Sequence, residues 1–250
     1  MLKASRSQHR RQAPAILPPE HPCYPCEVRR VSVFYALQCG DLSKLRALGT
    51  VRELRADEPL FHQGDDANLV YTVASGSLRL YRLLYDGRRQ ITGFALPGEF
   101  LGISVDDSHD VTAEALEPSR IWCFQRALFD DFAARNPVLR DSLLEVAREE
   151  LAAAQQQFVV LGRKTAMERV ASFLLYLLGR FERITGHTAD HVALPMSRAD
   201  IADYLGLTKE TISRVFGQLR NSRIMRLETL TCVQILDRPA LEALADGNIG

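Results

Sequence analysis

This chain of 250 residues has no net charge, few lysines and no long apolar run. Its 31 basic side chains balance 31 acidic ones, and only four are lysines, so that 27 are arginines. No apolar run approaches the ~20 residues of a membrane span, and no apolar stretch follows the basic N-terminus as in a secretory signal. We therefore expect a cytoplasmic protein with no membrane partner. The zero net charge also argues, at first sight, against a nucleic-acid partner.

Cysteine is infrequent, and its total of five is an odd number. In a chain expected to stay in a reducing compartment, cysteines point to metal or redox chemistry before structural disulfides. Catalytic patterns are missing as well, because the sequence has no phosphate-binding glycine loop and no Ser-His-Asp order. We therefore predict that the protein is not an enzyme. With 46% hydrophobic residues, the chain is globular and long enough for two modest domains.

The pattern of residues changes along the chain. Residues 1–22 are basic and proline-rich and predict a flexible arm, whereas residues 41–48 predict a short amphipathic helix with Asp41 as its N-cap. From about 51 to 126, short alternating apolar runs are separated by turn signals, among which Asp86-Gly87 is a strong hairpin signal. This regular spacing of strands predicts a β-sandwich or β-barrel.

A helical repeat follows Pro137. Apolar residues recur at alternating steps of four and three, at positions 143, 147, 151, 154, 158 and 161. A stripe this narrow suits the pairing of two helices, so residues 138–162 are predicted to form a dimerisation helix. The alternative is one helix packed against its own barrel. Gly162 and the basic pair after it predict a hinge before a further amphipathic helix.

Residues 197–226 predict two short helices joined by a tight turn. Ser197 caps the first helix together with Asp200, which occupies the third position of a capping box. Gly206 permits the turn, and Thr208 caps the second helix. The second helix has an apolar stripe on one side, made of Ile212, Val215, Phe216 and Leu219. This arrangement is typical of a helix-turn-helix.

The opposite side of the second helix has the chemistry to read DNA bases. An arginine can bind guanine bidentately, a glutamate can accept from cytosine and a serine can contact thymine, which assigns base reading to Glu210, Ser213 and Arg214. The segment 197–226 carries six basic side chains against three acidic ones, which the overall neutrality conceals. Its candidate phosphate contacts are Arg198, Thr208, Lys209, Arg220 and Arg223. The alternative is an ordinary helical hairpin with a solvated charged face.

One stretch carries a distinctive pattern, residues 196–214, with the sequence Met-Ser-Arg-x-x-Ile-x-x-Tyr-Leu-Gly-Leu-Thr-x-Glu-Thr-x-Ser-Arg. With the turns Gly64-Asp65 and Ser75-Gly76 and the segments 90–94 and 98–102, it resembles the CRP/FNR superfamily of bacterial transcription regulators, FNR/FixK branch. The resemblance covers about residues 23–240.

The resemblance implies an α+β fold with an N-terminal jelly-roll β-barrel like that of cyclic-nucleotide-binding domains, a long dimerisation helix and a C-terminal winged helix-turn-helix. The corresponding boundaries are 1–22 for the arm, 23–137 for the sensor barrel with its cysteine segment, 138–162 for the dimerisation helix and 163–250 for the DNA-binding domain. It also implies a homodimer that binds a TTGAT-type palindrome in double-stranded DNA, a wing around 226–235, and RNA polymerase as a partner of the hairpin at Asp86-Gly87.

The resemblance leaves the signal open. Members that bind cyclic nucleotides have an Arg-Ser pair where this chain has His109-Asp110, and an aspartate repels phosphate, so no cyclic nucleotide is expected. Oxygen-sensing members hold a [4Fe–4S] cluster, for which the candidate ligands here are Cys23, Cys26, Cys39 and Cys123.

The spacing of these cysteines departs from the family pattern. Cys39 follows Cys26 after twelve residues, where the family has five to seven, and Cys123 comes one residue later than usual, where Trp122 would fall. The alternatives are a thiol switch between Cys23 and Cys26, a zinc site that recruits His21, or inert thiols. The corresponding function is a FixK-like regulator without a cofactor, controlled by cysteine oxidation or by its expression level.

Overall fold

The computed structural model describes residues 32–102, 107–185 and 187–247. The predicted arm and two of the candidate ligands, Cys23 and Cys26, lie outside these ranges. The first half of the described chain forms one helix and eight strands: α1 (Cys39–Ala47), β1 (Gly49–Leu54), β2 (Pro59–Phe61), β3 (Leu69–Ser75), β4 (Leu78–Leu83), β5 (Arg89–Ala95), β6 (Phe100–Leu101), β7 (Thr112–Ala115) and β8 (Ser119–Gln125).

The eight strands form two facing antiparallel sheets. Their orders are β1-β8-β3-β6 and β2-β7-β4-β5, so that strands distant in sequence alternate within each sheet. The turns between strands use glycines with positive φ, such as Gly64, Gly76 and Gly98, at the positions where turn signals interrupt the apolar runs. The jelly-roll barrel and the α+β class are therefore confirmed.

The β1-β8-β3-β6 sheet separates two apolar clusters, because successive side chains of a strand point to opposite faces. Tyr71, Ile121 and Cys123 belong to the cluster inside the barrel. Their neighbours Val70 and Phe124 belong to a second cluster, which the sheet shares with α1 and with the helices that follow β8. A shift of one residue along β8 therefore moves a side chain from one cluster to the other.

Helix α1 begins two residues earlier than predicted. Gln38 is its N-cap and makes no capping hydrogen bond through its side chain. Asp41 was predicted as the cap, but it lies in the first turn, where its carboxylate pairs with Lys44 at 3.2 Å. The buried Leu42 and Leu45 set the position of the helix by packing on the barrel, and this tertiary contact decides where the helix starts.

The second half of the described chain is mainly helical. It forms α2 (Arg126–Arg135), α3 (Pro137–Arg163), α4 (Ala166–Thr185), β9 (His191–Ala193), α5 (Arg198–Leu205), α6 (Lys209–Asn221), β10 (Met225–Thr229), β11 (Cys232–Ile235) and α7 (Arg238–Ala245). None of the helices in the described ranges combines the length and the apolar character that a membrane crossing requires.

Helix α3 extends the predicted range 138–162 by one residue at each end. Asn136 caps it by accepting a hydrogen bond from the backbone N–H of Leu139 at 3.2 Å, and Pro137 occupies its first turn. Leu151 and Phe158 of the predicted stripe are 61% and 74% exposed. Leu151 and Phe158 therefore do not pack against the barrel, whereas Leu143, the first position of the predicted stripe, packs on the second apolar cluster.

The fold predicts that alanine substitutions at two glycines with the same φ differ strongly in their cost to stability. Gly76 and Gly87 both have φ of +80°, but a Cβ on Gly76 would lie 2.7 Å from the Cα of Ser119, whereas one on Gly87 would contact nothing within 4 Å. Gly87→Ala should lower the free energy of unfolding by about 1–2 kcal/mol, the cost of a left-handed residue.

Gly76→Ala should cost about 1–3 kcal/mol more, because two backbones must move apart. Denaturant unfolding followed by circular dichroism measures both variants. Equal losses of stability would contradict the described packing of this turn.

Candidate nucleic-acid interface

The capping box predicted at the start of α5 is present. The Ser197 hydroxyl accepts a hydrogen bond from the backbone N–H of Asp200 at 3.1 Å, and the Asp200 carboxylate accepts one from the backbone N–H of Ser197 at 2.9 Å. Gly206 ends the helix in the left-handed conformation, with φ of 61°. These local interactions fix the direction in which the chain enters the next helix.

Helix α6 is positioned by its cap and by its buried side. Thr208 accepts a hydrogen bond from the backbone N–H of Thr211 at 3.2 Å. The predicted stripe is buried against α4, α5 and the small sheet β10-β11-β9, with Ile212, Val215, Phe216 and Leu219 each at most 3% exposed. Because this side is fully packed, the opposite side of α6 faces outward in one fixed orientation.

The three predicted base-reading residues lie on that outward side. Glu210, Ser213 and Arg214 are all exposed. The Ser213 hydroxyl donates to the backbone carbonyl of Lys209 at 2.9 Å, so its oxygen remains able to accept from a base. Within the described ranges, neither Glu210 nor Arg214 forms an ion pair, and both charged groups can therefore meet a ligand.

The predicted phosphate contacts fall into two groups. Thr208, Lys209, Arg220 and Arg223 are exposed around α6. Arg198 instead lies half-buried, with its guanidinium 3.8 Å from the centre of the Phe216 ring, and burial lowers its pKa. This cation–π contact joins α5 to α6 and was not foreseen, because no local pattern links residues so far apart in sequence.

Next to α6, β10 and β11 form a hairpin that corresponds to the predicted wing. Leu230 at its tip is 93% exposed. At its base, His191 lies between two carboxylates, with Nδ1 2.6 Å from Asp190 and Nε2 3.1 Å from Glu228. The hydrogen bond to Asp190 and the one to Glu228 raise the pKa of His191 above its usual value. This pairing across strands was also not foreseen from the sequence.

Comparison with known proteins agrees with this geometry. Residues 51–136 match the cyclic nucleotide-binding domain family, and residues 168–244 match the Crp-like helix-turn-helix domain family. The nitrogen fixation regulation protein FixK of Bradyrhizobium diazoefficiens is 41% identical over 231 residues, which cover 92% of this chain and 96% of FixK. This chain belongs to the CRP/FNR family of transcription regulators.

Other members of the CRP/FNR family are similar over nearly the same span. The transcriptional activator protein Anr of Pseudomonas protegens is 39% identical over 230 residues, covering 91% of this chain and 93% of Anr. The solved structure of FixK2 from Bradyrhizobium japonicum superposes with a TM-score of 0.72 at 38% identity, covering 78% of this chain and 96% of FixK2. These relatives are regulators, and α5 and α6 are the DNA-binding helix-turn-helix of the family.

A small, partly open cavity of about 150 Å³ lies between the barrel of this CRP/FNR-family chain and α3. His109 borders it, 4% exposed and stacked on Phe61 with ring centres 3.7 Å apart. Glu150 of α3 and Asp110 also line the cavity, and burial raises the pKa of Glu150. No lysine or arginine occurs among its described lining residues, so the charges at this cavity do not favour a phosphate.

The described cysteines do not converge. Cys123 is buried inside the barrel, where burial raises the pKa of its thiol. Cys39 is half-buried and packs in the other cluster, across the β1-β8-β3-β6 sheet. Trp122, and not Cys123, belongs to the cluster that includes Cys39. No group of three or more metal-ligating side chains occurs within the described ranges, which include only Cys39 and Cys123 of the four candidate ligands.

Proposed function

We propose that this protein is a cytoplasmic, homodimeric transcription activator that binds a TTGAT-type palindrome in double-stranded DNA through Glu210, Ser213 and Arg214. The exposure of these three side chains on the outward side of a fully packed α6 is the observation that carries the proposal. FixK, Anr and the other relatives are named as regulators or activators, which agrees with it.

The assignment of roles follows from hydrogen-bonding chemistry. Arg214 binds the O6 and N7 atoms of guanine, Glu210 accepts from a cytosine amino group, and Ser213 contacts thymine. The exposed basic residues around α6 hold the phosphates on either side and set the register of the helix in the major groove. RNA polymerase is the partner proposed for the hairpin between β4 and β5, where Tyr85 is fully exposed.

Removing the guanine contact tests the base-reading assignment. Arg214→Ala should weaken binding to the palindrome by about 1–3 kcal/mol, because a bidentate contact is lost. Arg214→Lys is the matched control, since it keeps the charge but not the planar fork, and it should lose specificity while keeping non-specific affinity. Fluorescence anisotropy with the palindrome and with scrambled DNA measures both. Unchanged preference for the palindrome in Arg214→Ala would refute the assignment.

The apolar stripe of α3 supports the homodimer. Leu151 and Phe158 of the predicted stripe lie seven residues apart and are exposed in the single chain. One heptad earlier the exposed side chain is Leu144, because the predicted Leu143 packs on the second apolar cluster. A second copy of α3 would bury this stripe as in a two-stranded coiled coil. Two such copies also bring two α6 helices together, as a palindromic site requires.

A charge in the stripe should separate the dimer. Phe158→Glu should give a monomer at low micromolar concentration, because the interface would have to bury an unpaired carboxylate. Ala152→Glu places the same charge on exposed helix away from the stripe and should leave the dimer intact. Analytical ultracentrifugation distinguishes the two masses. A dimeric Phe158→Glu variant would contradict the assignment of this interface.

For the signal, we propose the cofactor-free alternative, in which neither a cyclic nucleotide nor a four-cysteine cluster is needed for DNA binding. The placement of Cys39 and Cys123 on opposite sides of one sheet supports it. The absence of basic side chains from the described lining of the barrel cavity supports the exclusion of cyclic nucleotides. Cys23-x-x-Cys26 remains available for a thiol switch.

Anaerobic purification separates the cofactor-free regulator from the oxygen-sensing one. We expect colourless protein with less iron and sulfide than a cluster requires, and an affinity for the palindrome that a thiol reductant alone restores in full after exposure to air. Cys123→Ser should bind DNA as the wild type does, because the thiol is buried inside the barrel and donates to the Ile121 carbonyl of its own strand, as a serine hydroxyl can. Four irons per chain, with an absorption band and DNA affinity that are both lost in air, would establish the [4Fe–4S] cluster and overturn this part of the proposal.

A further inference from the structure

Strand β5 of the barrel contacts α5 of the helix-turn-helix, and Arg89 makes the charged part of this contact. Arg89 donates to the Asp200 carboxylate at 2.7 Å and to the Asp203 carboxylate at 2.8 and 2.9 Å through two of its nitrogens. The next residue, Gln90, donates to the backbone carbonyl of Asp203 at 2.7 Å. The barrel therefore contacts both the side chains and the backbone of α5.

Asp200 has two functions in this contact. It completes the capping box at the start of α5, and its side chain is only 4% exposed. Arg79 of β4 approaches it as well, at 3.7 Å. A carboxylate this buried needs a positively charged partner, and the partners that supply the charge, Arg89 and Arg79, both belong to the barrel. The cap of α5 and the attachment of α5 to the barrel are thus one electrostatic unit.

An apolar contact next to these ion pairs brings α4 to the same strand. Phe94 of β5 packs against Phe173 of α4 and Tyr204 of α5, with ring centres 6.1 and 5.3 Å apart. Arg180 of α4, which is 6% exposed, donates to the Phe94 carbonyl at 2.9 Å and pairs with Glu99. Helices α4 and α5, which both pack against α6, are therefore both bound to β5.

The contact with β5 leaves the base-reading side of α6 open. Asp200, Asp203 and Tyr204 of α5 face the barrel, whereas α6 packs on α5 through the core and exposes Glu210 and Arg214. A palindrome requires the two reading helices of a dimer to lie about one helical turn of DNA apart. Their separation depends on how rigidly each helix-turn-helix is held on its own barrel.

We propose that Arg89 is a positioning residue for DNA recognition, which fixes the orientation of α6 by holding α5 through Asp200 and Asp203. This inference rests on the proposed function, because it concerns the spacing of two half-sites. Loss of Arg89 frees the helix-turn-helix to reorient without changing any residue that contacts DNA.

The test compares DNA sites of different spacing in full-length dimers. In Arg89→Ala, affinity for the correctly spaced palindrome should fall about tenfold, within the range of measured coupling between sites. For palindromes with one base pair inserted or removed, the affinity of Arg89→Ala should stay within about twofold of the wild-type affinity for the same site. A helix-turn-helix that is no longer held by Arg89 can adapt to the altered spacing. Arg82→Ala is the matched control, since Arg82 lies on the same hairpin and forms an exposed ion pair with Asp110, which also belongs to the barrel.

Asp203→Ala and the double variant with Arg89→Ala complete the test. If the two residues act together, the double variant should bind no more weakly than the weaker single variant. Tighter binding by Arg89→Ala, an equal loss on every spacing, or multiplied losses in the double variant would overturn the inference. Wild-type protein that shows no preference for the palindrome would instead overturn the proposed function, which keeps the two failures distinct.

Discussion

The carboxylate of Asp200 is the constraint on which the arrangement of this molecule depends. It is buried, it caps the first helix of the helix-turn-helix, and it takes its counter-charge from arginines of the barrel. A buried charge without a partner is strongly destabilising, so α5 is most stable where Arg89 and Arg79 can reach it. The barrel and the helix-turn-helix are therefore coupled by Asp200, the same residue that caps the first helix of the helix-turn-helix.

The alternation of side chains on β8 is a second constraint, and it bears on the signal. Cys123 and Phe124 are neighbours in sequence but lie in different apolar clusters. A cysteine at the position of Trp122 would belong to the cluster that contains Cys39, whereas a cysteine at 123 does not. A shift of one residue within a strand therefore decides whether a side chain of β8 lies in the same apolar cluster as Cys39.

Features with a local physical cause could be predicted from the sequence. The capping box of Ser197, the stripe of α6 and the long helix α3 follow from short-range hydrogen bonds or from periodicity, and the structure places them within one residue. The cation–π contact of Arg198 with Phe216 and the pairing of Arg89 with Asp200 could not be predicted. They join residues that only the tertiary fold brings together, and such contacts have no spacing to recognise. The start of α1 was misplaced for the same reason.

The central claim is that the arrangement of barrel and helix-turn-helix held by Arg89 is the one that binds DNA. A crystal structure of the full-length dimer on a TTGAT palindrome tests it most directly. The account predicts that Arg89 remains within hydrogen-bonding distance of Asp200 and Asp203 in both protomers while Arg214 contacts guanine. A complex in which Arg214 contacts guanine, but the helix-turn-helix has rotated away and the pairs of Arg89 are broken, would contradict it.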